Sequence, residues 1–281
     1  MKEYFVLSDI HSFYDEMMVA LLDKGFSQEN PDHIIIVCGD IMDRGSQSKQ
    51  VLDFLYDLYK LDRVTLIRGN HEDLFEDMLD RGYYGKHDIS NGTFRTLKDL
   101  QPNDVDDKLA RILFHELLTN YDRRWDELRS IMVPYYELGK YIFVHAWIPF
   151  KYNDTGKFSM LAYYGNSPKT SLYDPGWRNA SEFSFQEARW VNGMEYADAG
   201  IIEPGKTIVC GHWHCSYGNA RKKYPGKTYG FYREKEYDTT EMDLFEPYYG
   251  DGIIAIDACT ALTKKCNCLH LKESDIYEKE D

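Results

Sequence analysis

The chain has 281 residues, of which 43% are hydrophobic and 28% are charged, a composition typical of a globular protein with a substantial core. Its 33 lysines and arginines stand against 47 aspartates and glutamates, and the net charge of −14 argues against broad nucleic-acid binding. The sequence contains no run of the roughly 20 apolar residues that a membrane-spanning helix requires, so no membrane association is expected.

Location and redox state follow from the first residues and the cysteines. Met1 leads directly into a strand-like apolar run without space for a signal or transit peptide, so a cytoplasmic location is expected. The six cysteines lie mostly in apolar runs and form no Cys-x-x-Cys pair. We therefore predict reduced core cysteines rather than a disulfide framework or zinc ribbon, at Cys38, Cys210, Cys215, Cys259, Cys266 and Cys268.

Three short apolar runs rich in β-branched residues, at 4–8, 34–38 and 64–67, predict buried strands early in the chain. The segments between these runs have apolar residues at a helical period. One such segment ends before Gly25, and the other begins at a plausible Ser48 cap. Alternation of strands with helices predicts a parallel sheet.

Residues 74–131 have a mostly helical pattern and predict an inserted helical layer. Two strand-like runs then flank Gly139 and Lys140, the two-residue spacing of a tight hairpin. Further strands are predicted at 207–210, 253–256 and 268–271. Two stretches without a clean period, 150–186 and 216–250, are predicted to be long loops. We expect one domain over residues 1–273 and an acidic, frayed tail over 274–281.

Polar residues follow each early strand at once. Asp9-Ile10-His11 follows the first strand, the segment GDIMDRG at 39–45 follows the second, and GNHE at 69–72 follows the third. Successive motifs are about 30 positions apart, the length of one βαβ unit. We therefore expect them to meet at the carboxyl edge of the sheet, where open α/β folds bind ligands.

Two later strands end in histidines, namely His145 and the segment Gly211-His212-Trp213-His214. Five strand ends thus offer carboxylate, imidazole and amide groups to one edge. This mixed set of nitrogen and oxygen donors suits hard or borderline divalent ions. Two such ions that share a bridging carboxylate can clamp both the attacking and the leaving oxygen in phosphate hydrolysis.

The ordered motifs D-x-H, G-D-x-x-D-R-G, G-N-H-E, H and G-H-x-H over residues 9–214 resemble the calcineurin-like metallophosphoesterases. The segments at 39–45 and 68–72 are most similar to the branch that contains serine/threonine phosphoprotein phosphatases and symmetrical diadenosine tetraphosphatases. The resemblance implies an α/β, four-layer αββα fold in which two mixed sheets pack face to face between flanking helices. It also implies a hydrolase that uses two divalent ions.

The resemblance further implies a role for each matching residue. Asp9 and His11, completed by His214, correspond to ligands of the first ion, and Asp40 corresponds to the bridge. Ligands of the second ion correspond to Asn70, His145 and His212. Phosphoprotein phosphatases often lack a histidine at the position of His214. Manganese is the expected metal, while iron, zinc and cobalt accept the same ligands.

His71 resembles the general acid of the family, and Asp43 the carboxylate that orients it. Arg44 and Arg68 resemble arginines that bind the substrate phosphate. A third arginine is expected from the loop near 150–190, for which Arg178 and Arg189 are both candidates.

The sequence departs from the family at Ser12, where glycine is usual, and at Ala146-Trp147, which replaces a usual glycine. These changes affect the groove beside the ligands more than the ligands themselves. The first substrate hypothesis is a phosphoserine or phosphothreonine protein. The alternative is a dinucleoside polyphosphate or other small phosphoanhydride, and a second alternative is a module that binds phosphate without turnover. A nuclease is disfavoured by the net charge.

Two other segments have sequence features that bear on function. The basic residues Arg221, Lys222, Lys223 and Lys227, which alternate with tyrosines, are expected to form a solvated surface, with recognition of a second phosphate or a base as the alternative. The segment Ile256-Asp257-Ala258 resembles the strand containing an aspartate that closes the second sheet of the family.

Overall fold

The computed structural model describes residues 1–152 and 168–277. The strands in these residues are β1 (Glu3–Leu7), β2 (His33–Cys38), β3 (Val64–Ile67), β4 (Tyr136–Leu138), β5 (Tyr141–Phe143), β6 (Phe150–Tyr152), β7 (Ser171–Tyr173), β8 (Thr207–Cys210), β9 (Tyr248–Gly250), β10 (Ile253–Ala255) and β11 (Leu269–Lys272). The helices are α1 (Tyr14–Asp23), α2 (Ser48–Lys60), α3 (Asn70–Arg81), α4 (Lys86–Asn91), α5 (Thr93–Asp99), α6 (Asp107–Ile112), α7 (Phe114–Asn120), α8 (Arg124–Ser130), α9 (Glu182–Ala188), α10 (Gly193–Asp198), α11 (Cys215–Lys223), α12 (Tyr229–Lys235), α13 (Thr260–Thr263) and α14 (Glu273–Ile276).

The first sheet has the order β11-β1-β2-β3. β1, β2 and β3 are parallel, as the strand and helix alternation predicted, while β11 is antiparallel to β1. The second sheet has the order β4-β5-β8-β10-β9, with a parallel centre and antiparallel edges. β4 and β5 form the predicted hairpin, in which Gly139 has a φ of 53°. β6 and β7 pair separately.

The two mixed sheets pack face to face through a buried apolar layer. Val6 and Ile36 of the first sheet share this layer with Phe143, Val209 and Ile254 of the second sheet. A second cluster joins the other face of the first sheet to α1, α2 and α3, and a third joins the second sheet to α10 and α11. The expected four-layer αββα arrangement is confirmed.

The structure corrects two expectations about local structure. Residues 216–250 are not one long loop, because most of α11, all of α12 and β9 lie within them. Lys222, Lys223 and Lys227 are exposed, as expected for a solvated surface, while Arg221 bonds Glu236 and Lys223 bonds Asp243. Ser48 is not a cap but the first residue of α2, and its hydroxyl lies 2.9 Å from that of Ser12.

The helical region that the sequence predicted is described throughout, whereas the first long loop and the tail are described only in part. Residues 74–131 contain most of α3 and all of α4 to α8. The region 150–186 holds β6, β7 and most of α9, and its part from 153 to 167 lies outside the described residues. The start of the expected tail forms α14, whose Ile276 is buried, and residues 278–281 lie outside the description. The division into one domain and a tail stays a prediction.

The structure also bears on the predicted state of the cysteines and on membrane-spanning helices. All six cysteines are free and buried, which confirms the prediction of reduced core thiols. Over residues 1–152 and 168–277, no helix has both the length and the apolar character needed to cross a membrane.

Candidate active site

Asp40, which directly follows β2, lies at the centre of the converging strand ends and is 1% exposed. Its Oδ1 accepts the His71 amide at 3.0 Å and lies 3.4 Å from His145 Nε2, while its Oδ2 lies 3.7 Å from His11 Nε2. Burial raises the pKa of this carboxyl, but the surrounding histidines outweigh burial and lower the pKa well below its usual value. Asp40 is therefore a carboxylate that faces imidazoles from both sheets.

Two buried histidines are fixed so that one ring nitrogen remains for a ligand. His11 Nδ1 lies 3.0 Å from the carbonyl of Met42, and His145 Nδ1 lies 2.9 Å from the carbonyl of Cys38. Each carbonyl selects the tautomer that has its proton on Nδ1. The Nε2 lone pairs then face Asp40 from opposite sheets. Such backbone anchoring is typical of metal-ligating histidines.

Asn70, which follows β3 of the first sheet, and His212, which follows β8 of the second sheet, both lie close to His145 Nε2. Asn70, the first residue of α3, places its Oδ1 2.7 Å from His145 Nε2. His212 Nδ1 lies 3.3 Å from the same nitrogen, and the backbone of Trp190 accepts the other ring N–H of His212. Burial and the neighbouring His145 ring lower the pKa of His212 to about 3, so this imidazole is neutral and can act as a ligand.

Asp9 and His214 lie on the other side of the site, where they line a small cavity. Asp9 Oδ2 accepts the His212 amide at 2.9 Å. Burial, with the nearby Asp257 and Asp40 carboxylates, raises the pKa of Asp9 well above its usual value. His214, which is half-buried, has its ring perpendicular to Tyr237 at a centroid distance of 5.4 Å. The cavity is also lined by His11, Asp40, Arg44, His212, Asp257, Cys259, Thr260 and Ala261.

His71 and Asp43 form a buried dyad next to Asp40. His71 Nδ1 lies 2.7 Å from Asp43 Oδ2, and Nε2 lies 3.1 Å from Arg44 Nη2. Burial lowers the pKa of His71, but the Asp40 and Asp43 carboxylates outweigh burial and raise it above its ordinary value. A doubly protonated ring would lose the Arg44 contact, because Nε2 would then carry a proton of its own. His71 Nε2 can therefore either accept a hydrogen bond from Arg44 or carry a proton, but it cannot do both.

Sequence reasoning did not identify the two threonines that hold Asp43. Thr96 Oγ1 donates to Asp43 Oδ1 at 2.7 Å, and Thr93 Oγ1 donates to Oδ2 at 2.8 Å. Both threonines lie on α5 and are fully buried. The preceding Gly92 permits the close approach, since a Cβ there would overlap the Arg44 backbone. The sequence signal is a Gly-Thr-x-x-Thr segment, which does not itself indicate its distant partner.

Glu72, the last residue of GNHE, was also not given a role. Its carboxylate accepts three backbone amides, from Gly69 at 2.8 Å and from Asp40 and Ile41 at 3.0 Å each. Burial raises the pKa of Glu72 to about 7. A Cβ on Gly69 would overlap Asp40, so the backbone of this motif packs directly against the central carboxylate. Glu72 therefore joins the second and third strand ends, a role that its place in the motif could have suggested.

The four arginines considered for phosphate binding differ in their surroundings. Arg44 is exposed at the cavity and contacts His71. Arg68 donates to Asp73 at 2.6 Å and also bonds Glu76. Arg189, 4% exposed, donates to Asp73 at 2.8 Å, whereas Arg178 is bonded to Glu137 and Glu203 beside β4. Asp73 thus brings Arg189 next to Arg68, and Arg178 belongs to a separate ion-pair cluster.

The departure at Ser12 has a local explanation. Ser12 has a φ of 58°, a left-handed conformation that favours glycine, and its buried hydroxyl lies 2.9 Å from the hydroxyl of Ser48. Ala146 and Trp147 are buried, and Trp147 Nε1 donates to the carbonyl of Ile201 at 2.9 Å. The side chains at both departures are therefore packed inside the protein, and the expected ligands His11 and His145 remain at the site.

The donor atoms present fit a pair of divalent ions. Two groups of potential ligand atoms each lie within 4.8 Å of one another, and Asp40 belongs to both. One group is His11, Asp40 and His71, and the other is Asp40, His145 and His212. The first group contains His71 where the sequence suggested Asp9, which lies in the adjoining cavity with His214. Oxygen and imidazole donors around one shared carboxylate suit two hard or borderline ions.

The chain is similar to proteins of known classes. A bis(5′-nucleosyl)-tetraphosphatase PrpE (asymmetrical) of Bacillus velezensis is 29% identical over 56% of this chain and 60% of its own length. The enzyme of the same name from Anoxybacillus flavithermus is 25% identical over 72% of this chain and 87% of its own length. The cold-active protein-tyrosine phosphatase of a psychrophilic Shewanella is 17% identical, with a TM-score of 0.50 over 98% of this chain and 76% of that chain, which shows a shared fold.

The model of one protein family matches the chain from residue 4 to residue 216, which includes every motif residue described above. This match confirms the resemblance found in the sequence. The protein therefore belongs to the calcineurin-like phosphoesterase family.

Proposed function

We propose that this protein hydrolyses dinucleoside polyphosphates such as diadenosine tetraphosphate. The observation that carries the chemistry is the position of Asp40, which belongs to two buried donor groups and lies beside the His71 and Asp43 dyad. Support for the substrate comes from the two relatives, both of which are named tetraphosphatases. Their names favour the alternative substrate hypothesis from the sequence over the phosphoprotein hypothesis.

Two divalent ions, expected to be manganese, would be held by the residues around Asp40. Asp9, His11, Asp40 and His214 would hold the first ion, and Asp40, Asn70, His145 and His212 would hold the second. Such ions, when bound, supply Lewis-acid polarisation of the phosphoryl group and an activated water at neutral pH. The neutral His212 and the anchored tautomers of His11 and His145 are already suited to ligation.

The proton for the leaving group would come from His71. Its Nδ1–H is directed to Asp43, so Nε2 is the nitrogen that presents a proton to the departing oxygen. Arg44 contacts Nε2 in the substrate-free arrangement. When a phosphate binds the Arg44 guanidinium, the contact with Nε2 is given up, and His71 can become doubly protonated beside the two carboxylates. Substrate binding would thereby be linked to protonation of His71, the proposed general acid.

A third phosphate contact would come from Arg189 rather than Arg178. Arg189 lies beside Arg68 through their common partner Asp73, and the residue after it contacts His212 through its backbone. Arg178 has both sides of its guanidinium bonded to glutamates and stacks on Trp177 at 4.5 Å. Arg189 is bonded to Asp73 and to Glu182, and its guanidinium would exchange Asp73 for a phosphate. A cytoplasmic location, where nucleotides are abundant, belongs to the same proposal.

The test is a substrate panel with the purified protein and Mn²⁺. Diadenosine tetraphosphate, a phosphoserine peptide, p-nitrophenyl phosphate and bis(p-nitrophenyl) phosphate are compared, and the nucleotide products are separated to distinguish two ADP from ATP plus AMP. We expect the dinucleotide to have the highest kcat/KM. Asp40→Asn should abolish turnover of every substrate. His71→Asn should lower kcat by about 100-fold or more for phosphoserine and less for p-nitrophenyl phosphate, whose leaving group needs little protonation.

Each alternative has its own result. Turnover of the phosphopeptide but not of the dinucleotide would replace the proposal with the phosphoprotein hypothesis. Hydrolysis of the diester alone would make the protein a phosphodiesterase. No turnover of any substrate by the Mn²⁺-loaded protein would support a module that binds phosphate without hydrolysis.

A further inference from the structure

Part of the cavity next to Asp9 is lined by residues that lie outside the five sequence motifs. The segment 257–261, which begins two residues after the end of β10, lines this cavity together with Asp9 and His214. Asp257 is 4% exposed and Thr260 is 1% exposed. Two polar side chains from the β10 end therefore face the same small space as two of the expected ligands of the first ion.

The backbone of this segment is held in an unusual conformation. Cys259 has a φ of 54°, a left-handed value that is costly for a residue with a side chain. The turn is fixed because Asp257 Oδ1 accepts the Cys259 amide at 2.6 Å and the Asp257 carbonyl accepts the Cys215 amide at 2.8 Å. This conformation places Thr260 at the cavity as the first residue of α13.

Thr260 carries a hydroxyl that needs a partner. Among the described residues, none forms a hydrogen bond with Thr260 Oγ1, although the atom is buried. Leaving a buried hydroxyl unpaired is unfavourable, so a donor or acceptor within the cavity is expected to satisfy it. Thr260 lines the cavity, and a ligand there can provide that partner.

The charges around the cavity indicate what kind of ligand this is. Asp257 lies close enough to Asp9 to repel its charge, and Asp40 adds a third carboxylate. Three buried carboxylates in one small region are unstable without a nearby cation. Arg44 supplies one positive charge at the rim, which leaves the site acidic in total.

We propose that Asp257 and Thr260 belong to the site of the first divalent ion. Asp257 supplies a third carboxylate charge beside Asp9 and Asp40, and the Thr260 hydroxyl forms a hydrogen bond with the water or oxygen ligands of that ion. This assignment rests on the binuclear centre of the proposed function. It adds two residues from the β10 end to a site otherwise built from the five motifs.

The experiment measures Mn²⁺ binding to the full-length, metal-free protein by calorimetry, with turnover recorded separately. Asp257→Asn removes the charge but keeps Oδ1 as the acceptor for the Cys259 amide, so the turn is preserved. Thr260→Val removes the unpaired hydroxyl at nearly constant volume, and Thr260→Ser restores it. Asp251→Asn, an exposed carboxylate near the opposite end of β10, is the matched control. Circular dichroism and thermal unfolding establish that each variant is folded.

Wild type is expected to bind two ions per chain. In Asp257→Asn the affinity for one ion should fall by about 10–100-fold while the other stays within about twofold, as is typical when residues next to metal ligands are changed. Thr260→Val should weaken the same ion by a smaller factor, and both Thr260→Ser and Asp251→Asn should match wild type. Wild-type affinities for both ions in a folded Asp257→Asn protein would overturn the assignment.

The two proposals fail in different ways. Unchanged Mn²⁺ binding in Asp257→Asn, with dinucleotide turnover present in wild type, refutes only the role of Asp257 and Thr260. Loss of one ion in Asp257→Asn, with no dinucleotide turnover in wild type, refutes only the substrate. A wild-type protein that binds fewer than two Mn²⁺ ions would overturn the assignment and the binuclear centre together.

Discussion

Two threonines of α5 support the orientation of His71, and this support can be tested by removing one hydroxyl. Thr96 Oγ1 donates to the Asp43 carboxylate at 2.7 Å and lies 3.0 Å from the Asp43 amide, which donates to it. Thr96→Val keeps the shape of the side chain. It removes a hydrogen bond to a charged group, about 1.5–3 kcal/mol, and leaves a buried amide unpaired, about 1–3 kcal/mol. We expect the free energy of unfolding to fall by about 3–5 kcal/mol.

Thr93→Val removes only the bond to Oδ2, so its expected cost is about 1.5–3 kcal/mol. Denaturant titration measures both losses. Thr119→Val is the matched control, because this threonine lies on α7 with an exposed side chain that donates to the Glu116 carbonyl at 2.9 Å. It should change the free energy of unfolding by less than about 0.5 kcal/mol.

The same variants should affect catalysis through the acid. With Asp43 less firmly held, kcat for phosphoserine should fall by about tenfold or more in Thr96→Val, while KM changes little. A loss smaller than about 1 kcal/mol in the free energy of unfolding, together with an unchanged kcat, would refute the view that the inserted helical region supports the dyad.

Three further outcomes are expected. Gly69→Ala should abolish turnover and Mn²⁺ binding because its Cβ would overlap Asp40, whereas Gly230→Ala, with open space around it, should leave both unchanged and raise thermal stability. Arg189→Lys should raise KM by about tenfold in steady-state kinetics, while Arg178→Lys should lower only the unfolding temperature. Burial raises the pKa of Asp99 to about 6, above 3.8 in the unfolded chain, so stability falls as pH rises from 4 to 6. Asp99→Asn should therefore gain stability in denaturant titrations at pH 8 and none below pH 4, and solvent screening of this partly exposed side chain reduces the gain to about 1–2 kcal/mol.

The residues at the strand ends were predictable because a polar motif after a buried strand fixes both the chemistry and the place of a side chain. The threonines that hold Asp43 were not predictable, since some 50 positions separate them from it and their own segment has only a helical pattern. The helices α11 and α12 were missed for a local reason. Each contains a glycine and few aliphatic residues, which obscures the 3.6-residue period.

The choice between Arg178 and Arg189 depended on ion pairs between distant segments. Each arginine has a tryptophan as one of its two sequence neighbours, so their local sequences are similar. Only the folded chain shows that Arg189 meets Asp73 on α3, 116 positions away, and that Arg178 meets Glu137 on β4. Long-range pairing of this kind leaves no pattern in a single sequence.

The geometry of the site depends on contacts that join the two sheets. Asp40 follows β2 of the first sheet and lies 3.4 Å from His145, which follows β5 of the second sheet. Asp9, from the end of β1, accepts the amide of His212, from the end of β8. Because the group formed by Asp40, His145 and His212 contains residues from both sheets, its geometry depends on the apolar layer between the sheets. Mutations in that layer, such as changes to Val209, are therefore able to alter metal binding without touching a ligand.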